Sequence, residues 1–422
     1  MPDATPAAAE DPARLAAWLS RNAVDSLPEG ALAAKLAAAR EQGRPLRVKL
    51  GIDPTARDIH LGHAVVLRKL AEFQQAGHKV VLIIGDYTAR VGDPSGRSDL
   101  RPMLSPEQID ENAATFQSQA LKILDADPER LEVRHNGEWL DMPMVELLGL
   151  VRTTTAAQLL ERDDFAKRWS ANEPISLLEL LYPLLQAYDS VAIDSDIELG
   201  GTDQKFNLLL GRDIQRSYGK PEQAIMTMPL LVGVEGQRKM SKSLGNQIGV
   251  TDSPEEIYGK TMSIPDEAIA DYRHLLLERR VDSRGEPIAE LPGVGEEPEP
   301  PQGSSARDAK RRLARELVAS LYTEQQAEQA ERHFERLFVE HGTPEEIAEA
   351  SFARDGGTVH LPALISSEFG MSSSEARRLI DQGGVTLGDA SLRRGEYDVD
   401  SDRADGQVLK VGKRRFRRLR AA

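Results

Sequence analysis

Leu46-Arg47-Val48-Lys49-Leu50-Gly51-Ile52 is an apolar run, and a turn-rich segment, Asp53-Pro54-Thr55-Ala56-Arg57-Asp58, follows it. His60-Leu61-Gly62-His63 then opens an apolar-periodic segment, Ala64 to Gln75, which stops at Gly77 before a second apolar run, Val80 to Gly85. Strand, loop, helix and strand in this order are how a parallel α/β sheet begins. The two imidazoles stand three residues apart and share one face of the helix. Backbone N–H groups at the same helix end favour an anion such as a nucleotide phosphate. Two other readings fit the histidines alone. A metal pair on a helix is usually spaced by four, and no third ligand is apparent nearby. Two histidines can also simply be hydrogen-bonded at a helix start.

The 422-residue chain is long enough for two to four domains. Its 40% hydrophobic and 29% charged residues are those of a globular rather than a disordered chain. No apolar run reaches roughly 18 residues, so no membrane span is expected. The Ala-rich, acidic start lacks the features of a secretory signal. There are zero cysteines, hence no disulfide or thiolate metal site, and the cytoplasm is the expected compartment. A net charge of −15 argues against indiscriminate coating of nucleic acid. A local basic patch can still act within an acidic chain, and Lys410 to Arg420 supplies one without an acid.

Along the chain, residues 1–45 read as an N-terminal helical segment, two helices divided near Pro28-Glu29-Gly30. Residues 46–250 read as one α/β domain. Asp86 to Gly96 is a loop at a strand's carboxyl end, where open α/β sheets hold ligands. Ser105–Leu124 is a helix, Leu131–His135 a strand, and Asn136-Gly137-Glu138-Trp139 a turn. Helical patterns run from Met144 to Trp169, broken around Thr153-Thr154-Thr155. In the next helix Tyr182, Gln186 and Asp189 are spaced by four and three and share a face. That face either hydrogen-bonds a polar ligand or is the wet side of an amphipathic helix. After the short run Val191–Ile193 comes a second Gly-rich turn, Glu198-Leu199-Gly200-Gly201-Thr202-Asp203-Gln204, which opens the helix Phe206–Tyr218. Met228–Val234 reads as a strand leading into Lys239-Met240-Ser241-Lys242-Ser243. Residues 251–350 form a helical domain whose first helix is capped by Ser253, interrupted by a Pro/Gly/Glu-rich insertion near 281–305. Residues 358–422 read as two short helices followed by a few strands.

These motifs resemble those of bacterial tyrosyl-tRNA synthetases, class I aminoacyl-tRNA synthetases, and the resemblance covers nearly the whole chain. Six stretches carry it in order: Asp53-Pro54-Thr55, His60–His63, Gly92-Asp93-Pro94-Ser95-Gly96, Gln186-Ala187-Tyr188-Asp189, Gly200–Gln204 and Lys239–Ser243. The last 60 or so residues resemble a small RNA-binding domain shared with a ribosomal protein and pseudouridine synthases. The fold implied is a Rossmann-like parallel-sheet catalytic domain, then a helical domain on the anticodon side, then the small α+β RNA-binding domain. The activity implied is two-step: tyrosine and ATP give tyrosyl-adenylate and pyrophosphate, and the tyrosyl group passes to the terminal adenosine of tRNA(Tyr). By the same resemblance His60, His63, Thr55, Lys239 and Lys242 serve catalysis at the phosphates. Gly51, Gly201, Asp203 and Ser243 complete the ATP site. Asp93, Thr88, Tyr182, Gln186 and Gln204 meet tyrosine, with Asp189 accepting from its hydroxyl. Arg377, Arg378, Lys413, Arg414 and Arg415 contact RNA. Magnesium accompanies ATP, with no tightly bound cofactor, and a homodimer is implied.

Two positions depart from the pattern. Lys49 stands where well-known members carry a tyrosine against the substrate hydroxyl; it either points outward or pairs with a carboxylate near the pocket. Lys205 stands where many carry Trp. Three rival readings are a tryptophan-specific relative, a nucleotidylyltransferase and a non-catalytic RNA-binding protein. The Tyr182, Gln186, Asp189 constellation weighs against the first. The Lys239–Ser243 stretch and the terminal basic module weigh against the second, and the intact motifs against the third.

Overall fold

The computed structural model describes residues 11–55, 58–94, 105–277, 305–338, 347–353, 357–388, 390–412 and 415–421. Contacts divide the chain into two units, with the boundary between Glu328 and Gln329.

The first unit is built on a six-stranded sheet. Its strands are β1 (Asp25–Leu27), β2 (Arg47–Ile52), β3 (Lys79–Ile84), β4 (Leu131–His135), β5 (Ile197–Gly201) and β6 (Ala224–Met228), arranged β1-β6-β5-β2-β3-β4. All pairs are parallel except β1 with β6. The inner strands are apolar almost throughout because helices cover both faces, as a parallel sheet requires. Val80 to Ile84 and Val48 are buried, and so, within β2, is one charged side chain, Lys49. Strand order reverses between β2 and β5, so their carboxyl ends diverge and leave a crevice.

Several elements follow the sequence closely. The helix Leu61–Gln75 follows His60 and ends before Gly77, which takes the left-handed conformation at φ 83°. The helix Pro106–Ala120 carries Pro in its first turn, and its Ser105 cap accepts from the Gln108 backbone N–H. Ser253 caps Pro254–Met262.

Three expectations need correction. The N-terminal segment is not only helical: between Pro12–Leu19 and Ala31–Glu41 it lays β1 along β6. Glu198 to Gly201 belongs to the strand β5 and only Thr202–Gln204 turns, while the short run Val191–Ile193 is the end of the helix Leu177–Ala192 and its cap. Met228 closes β6 rather than opening a strand. The insertion near 281–305 lies, apart from Ser305, outside the described residues.

The second unit is an α+β module. Strands β7 (Glu349–Phe352), β8 (Thr358–His360), β9 (Val385–Leu387), β10 (Ala390–Ser391), β11 (Asp398–Asp400), β12 (Val408–Val411) and β13 (Arg415–Ala421) form a five-stranded sheet, β10-β9-β12-β13-β7, and a β8–β11 pair. The helices Leu361–Phe369 and Ser373–Asp381 pack on a core that includes Ile365, Ile380, Leu409 and Leu419. The basic stretch Lys410 to Arg420 is therefore not a solvated tail. It forms most of the β12–β13 hairpin, in which Arg417 meets Glu368 at 2.9 Å and Arg420 meets Glu349 at 2.8 Å. Arg377, Arg378 and Arg415 are exposed, while Lys413 and Arg414 lie outside the described residues.

Candidate active site

The crevice between β2 and β5 is a cleft of about 580 Å³. Fourteen of the residues singled out from sequence line it: Gly51, Thr55, His60, His63, Thr88, Asp93, Tyr182, Gln186, Asp189, Gly201, Asp203, Gln204, Lys239 and Lys242. Ser243 lies in the turn Lys242–Leu244, and its side chain is outside the described set.

One end of the cleft is made by the start of the helix Leu61–Gln75. The His60 and His63 rings stack with centroids 3.9 Å apart, and the His60 backbone N–H donates to His63 Nδ1 at 3.3 Å. Gly62 permits this, because a Cβ there would stand 2.9 Å from His60 Nδ1. Burial and the neighbouring positive groups press His60 down to about 2, and burial presses His63 down to about 4. Both are therefore neutral at physiological pH and serve as hydrogen-bond donors rather than cations.

Positive charge comes from across the cleft. Lys239 pairs with Asp203 at 2.8 Å and Lys242 with Asp58 at 3.0 Å, and all four side chains are substantially exposed. Such pairs hold weakly and are readily exchanged for another anion. The two motifs are tied through backbone. Leu61 N–H donates to Ile248 C=O and Val250 N–H to Ile59 C=O, both at 2.9 Å. Asn246, which sequence reasoning passed over, accepts from Ser241 N–H at 2.8 Å and donates to Lys239 C=O at 3.1 Å.

The inner end is a chain of hydrogen bonds. The Tyr182 hydroxyl donates to Asp53 Oδ2 at 2.9 Å, and Thr88 donates to Asp53 Oδ1 at 2.6 Å. Gln204 donates to Asp93 at 3.0 Å, while Asn207 donates to Gln186 Oε1 at 2.8 Å. Buried Arg162 stands 3.8 Å from Asp93 and donates to Asn207 at 3.3 Å. Asp189 is 2% exposed. Its Oδ1 accepts from Trp139 Nε1 at 2.8 Å and its Oδ2 from Asn136 Nδ2 at 3.4 Å. Burial pushes its carboxyl up to about 7, against the pull of Lys49 and these two donors.

Asn136 and Trp139 were read as a plain turn. Gly137–Leu140 is instead a short helix after β4 that aims the indole N–H at Asp189. The available signal was the position of Asn136-Gly137 at a strand's carboxyl end. Asp53, Arg162 and Asn207 were likewise given no role. Lys49 takes the inward alternative and pairs with Glu198 at 2.8 Å. Lys205 pairs with Asp25 of β1 at 2.7 Å. Among the described residues no group of three or more His, Asp or Glu side chains is placed to hold a metal ion.

The arrangement offers neutral donors, a helix N-terminus and movable lysines for a polyphosphate, and a buried carboxylate for a small polar ligand beside it. The family model described as tRNA synthetases class I (W and Y) matches residues 41–339. The chain is 47% identical to the tyrosine–tRNA ligase of Moorella thermoacetica, covering 97% of this chain and 96% of the relative. It is 49% identical to that of Thermotoga maritima, covering 95% and 96%. The tyrosyl-tRNA synthetase of Archaeoglobus fulgidus, solved with L-tyrosine, shares the fold with a TM-score of 0.60 at 24% identity, covering 76% of this chain and all of that one. The chain belongs to the class I tRNA synthetase family of the tryptophan and tyrosine enzymes, among its tyrosine–tRNA ligases.

Proposed function

We propose that the cleft activates L-tyrosine with ATP and that the tyrosyl group is then carried to the terminal adenosine of tRNA(Tyr). The tyrosine carboxylate attacks the α-phosphate and pyrophosphate leaves; a ribose hydroxyl of the tRNA then attacks the acyl carbon and AMP leaves. The nucleophile of the first step is already an anion, so no side-chain base is required. Acceleration comes from positioning and from charge placed where the phosphates gain it. His60 and His63 donate to the phosphates, with Thr55 at the γ-phosphate end. Lys239 and Lys242 exchange their carboxylate partners for pyrophosphate. Gly51, Gly201 and Asp203 meet the adenosine. Asp93, Tyr182, Gln186, Gln204 and Thr88 surround the amino acid. Magnesium enters with ATP and is held largely by phosphates and water.

The observation that carries this reading is Asp189. A buried carboxylate with two protein donors has acceptor capacity left for one more, and a phenol supplies it. Phenylalanine would leave that capacity dry. Tyrosine against phenylalanine is itself the reference example of such discrimination, at roughly 10⁵.

Two further assignments complete the proposal. Arg377, Arg378, Lys413, Arg414 and Arg415 of the second unit contact RNA phosphates. The chain pairs with a second copy through the apolar side chains exposed on neighbouring helices, among them Val145 at 74%, Trp169 at 66% and Leu177 at 80%. The setting is the cytoplasm, and among the described residues no helix is long and apolar enough to cross a membrane.

The test is exchange of labelled pyrophosphate into ATP without tRNA, run with tyrosine, tryptophan or phenylalanine. Exchange with tyrosine alone is expected. Exchange driven by tryptophan would overturn the substrate, and a folded protein that exchanges with none would overturn the chemistry. Sedimentation of the same preparation should give twice the mass of one chain.

A further inference from the structure

Lys49 sits in the middle of β2 between Val48 and Leu50 and is fully buried. A charge there is unfavourable unless it is paired and hydrogen-bonded. Its ammonium meets Glu198 Oε1 at 2.8 Å, from the residue beside it on β5. It also donates to Ser190 Oγ at 2.9 Å and to the backbone carbonyl of Gln186 at 3.0 Å. Three acceptors use all three N–H bonds. Glu198 is equally enclosed: Ser190 Oγ donates to its Oε2 at 3.1 Å, and Gln223 Nε2 donates there as well. Apolar residues of similar volume would hold a helix to a sheet at least as well as a buried ion pair does. Stability therefore does not account for this pair, but its contacts do. Gln186 and Ser190 bracket the helical turn that carries Gln186 and Asp189 into the cleft.

We propose that the Lys49–Glu198 pair positions the reader of the substrate hydroxyl, with Lys49 pinning the Gln186–Ser190 turn to the sheet and its charge keeping Asp189 an anion able to accept from a phenol. This rests on Asp189 being that reader, as proposed above. Lys49 touches no substrate atom and acts through Asp189 and the turn. The groups facing Asp189 are Lys49 and Glu198 from the sheet, Asn136 and Trp139 from the segment after β4, and Tyr182 from its own helix, with Asp53 and Asp93 against Tyr182. Among the charged neighbours the attraction of Lys49 is the largest influence and the repulsion of Glu198 a smaller one. The pair as a whole therefore favours the anion.

The sign of each charge gives a test that a packing role would not pass. The rate of tyrosine-dependent pyrophosphate exchange, as kcat/KM for tyrosine, is followed from pH 5.5 to 9. The variants are Glu198→Gln and the double variant Lys49→Met with Glu198→Gln, which leaves no buried charge unpaired. Glu198→Gln is expected to move the inflection to lower pH and the double variant to higher pH. An upward move of one pH unit is roughly a five-fold loss at pH 7, recovered by pH 9, carried in KM rather than kcat. Should Glu198→Gln, which strands the buried Lys49 ammonium, be recovered unfolded, the direction of the double variant's shift decides alone. Tyrosine-driven exchange in the wild type is checked first, and its absence would overturn the pocket reading and this inference together. Tyrosine-driven exchange with an inflection that neither folded variant moves overturns the inference alone.

Discussion

Asp189 is raised to about 7 from an ordinary value of 3.8, and the direction has a thermodynamic consequence. A carboxyl that holds its proton more tightly when folded stabilises the fold at low pH. That contribution is lost as pH rises from about 4 through 7 and is absent above. Asp189→Asn removes the titration. The variant's stability relative to wild type should therefore grow with pH between those limits and level off, with an upper bound on the order of 4 kcal/mol at about 1.4 kcal/mol per unit. Thermal melts at pH 5 and pH 8 read it, and an equal difference at both would refute it. The same variant should lose most of its preference for tyrosine over phenylalanine. His60 and His63, pressed below their ordinary value of 6.5, add a rise in stability toward that pH in both proteins, and the difference between variant and wild type cancels it. At this scale the sequence was legible where residues share one helix. Tyr182, Gln186 and Asp189 were placed on a common face by spacing alone. Trp139 and Asn136 were not, because they reach Asp189 from 50 and 53 residues away and spacing says nothing about such contacts.

The helix Leu177–Ala192 depends on its first turn. Ser176 accepts from Leu178 N–H at 3.2 Å, and Glu179 accepts from Ser176 N–H at 2.8 Å. Glu179 is also bound by Arg168 through two contacts at 2.7 and 3.2 Å, with both side chains buried. Arg168→Met strands a buried carboxylate and should destabilise the chain by about 3–5 kcal/mol in denaturant melts. Arg168→Met combined with Glu179→Gln should recover most of that loss, and no recovery would show that the loss lies in packing. Element boundaries were legible where capping chemistry announced them, as at Ser105 and Ser253. They were missed where a short apolar run could end a strand or begin one. Met228–Val234 has no period long enough to tell the two apart. β1 was missed for a related reason, since its three residues carry no alternation of their own.

Across the whole molecule, a chain of net charge −15 exposes Arg377, Arg378 and Arg415 on the second unit. Ending the chain after Phe338 should leave pyrophosphate exchange intact and lower tRNA charging at limiting tRNA by roughly ten-fold or more, with the loss greatest at low salt and shrinking as salt rises. Equal charging with and without the second unit would remove its proposed role. The cut must precede Glu349, because β7 runs parallel to β13 and belongs to that unit. The succession of an α/β region, helices and a small α+β module was legible from the changing period of the chain. The partnership of β7 with β13 was not, since it joins the two ends of the module. The opposite end of the chain has a similar partnership with a larger span. Thr227 donates to Asp25 across 202 residues at 2.6 Å, binding the edge strand β1 to β6. During synthesis β1 is made before the other described strands and is thus among the last to find its neighbour. At ribosomal speeds of about 5–20 residues per second, β1 waits on the order of 10–40 s for β6. For that interval the nascent sheet has an unfinished edge, and the phosphate site still lacks its lysines.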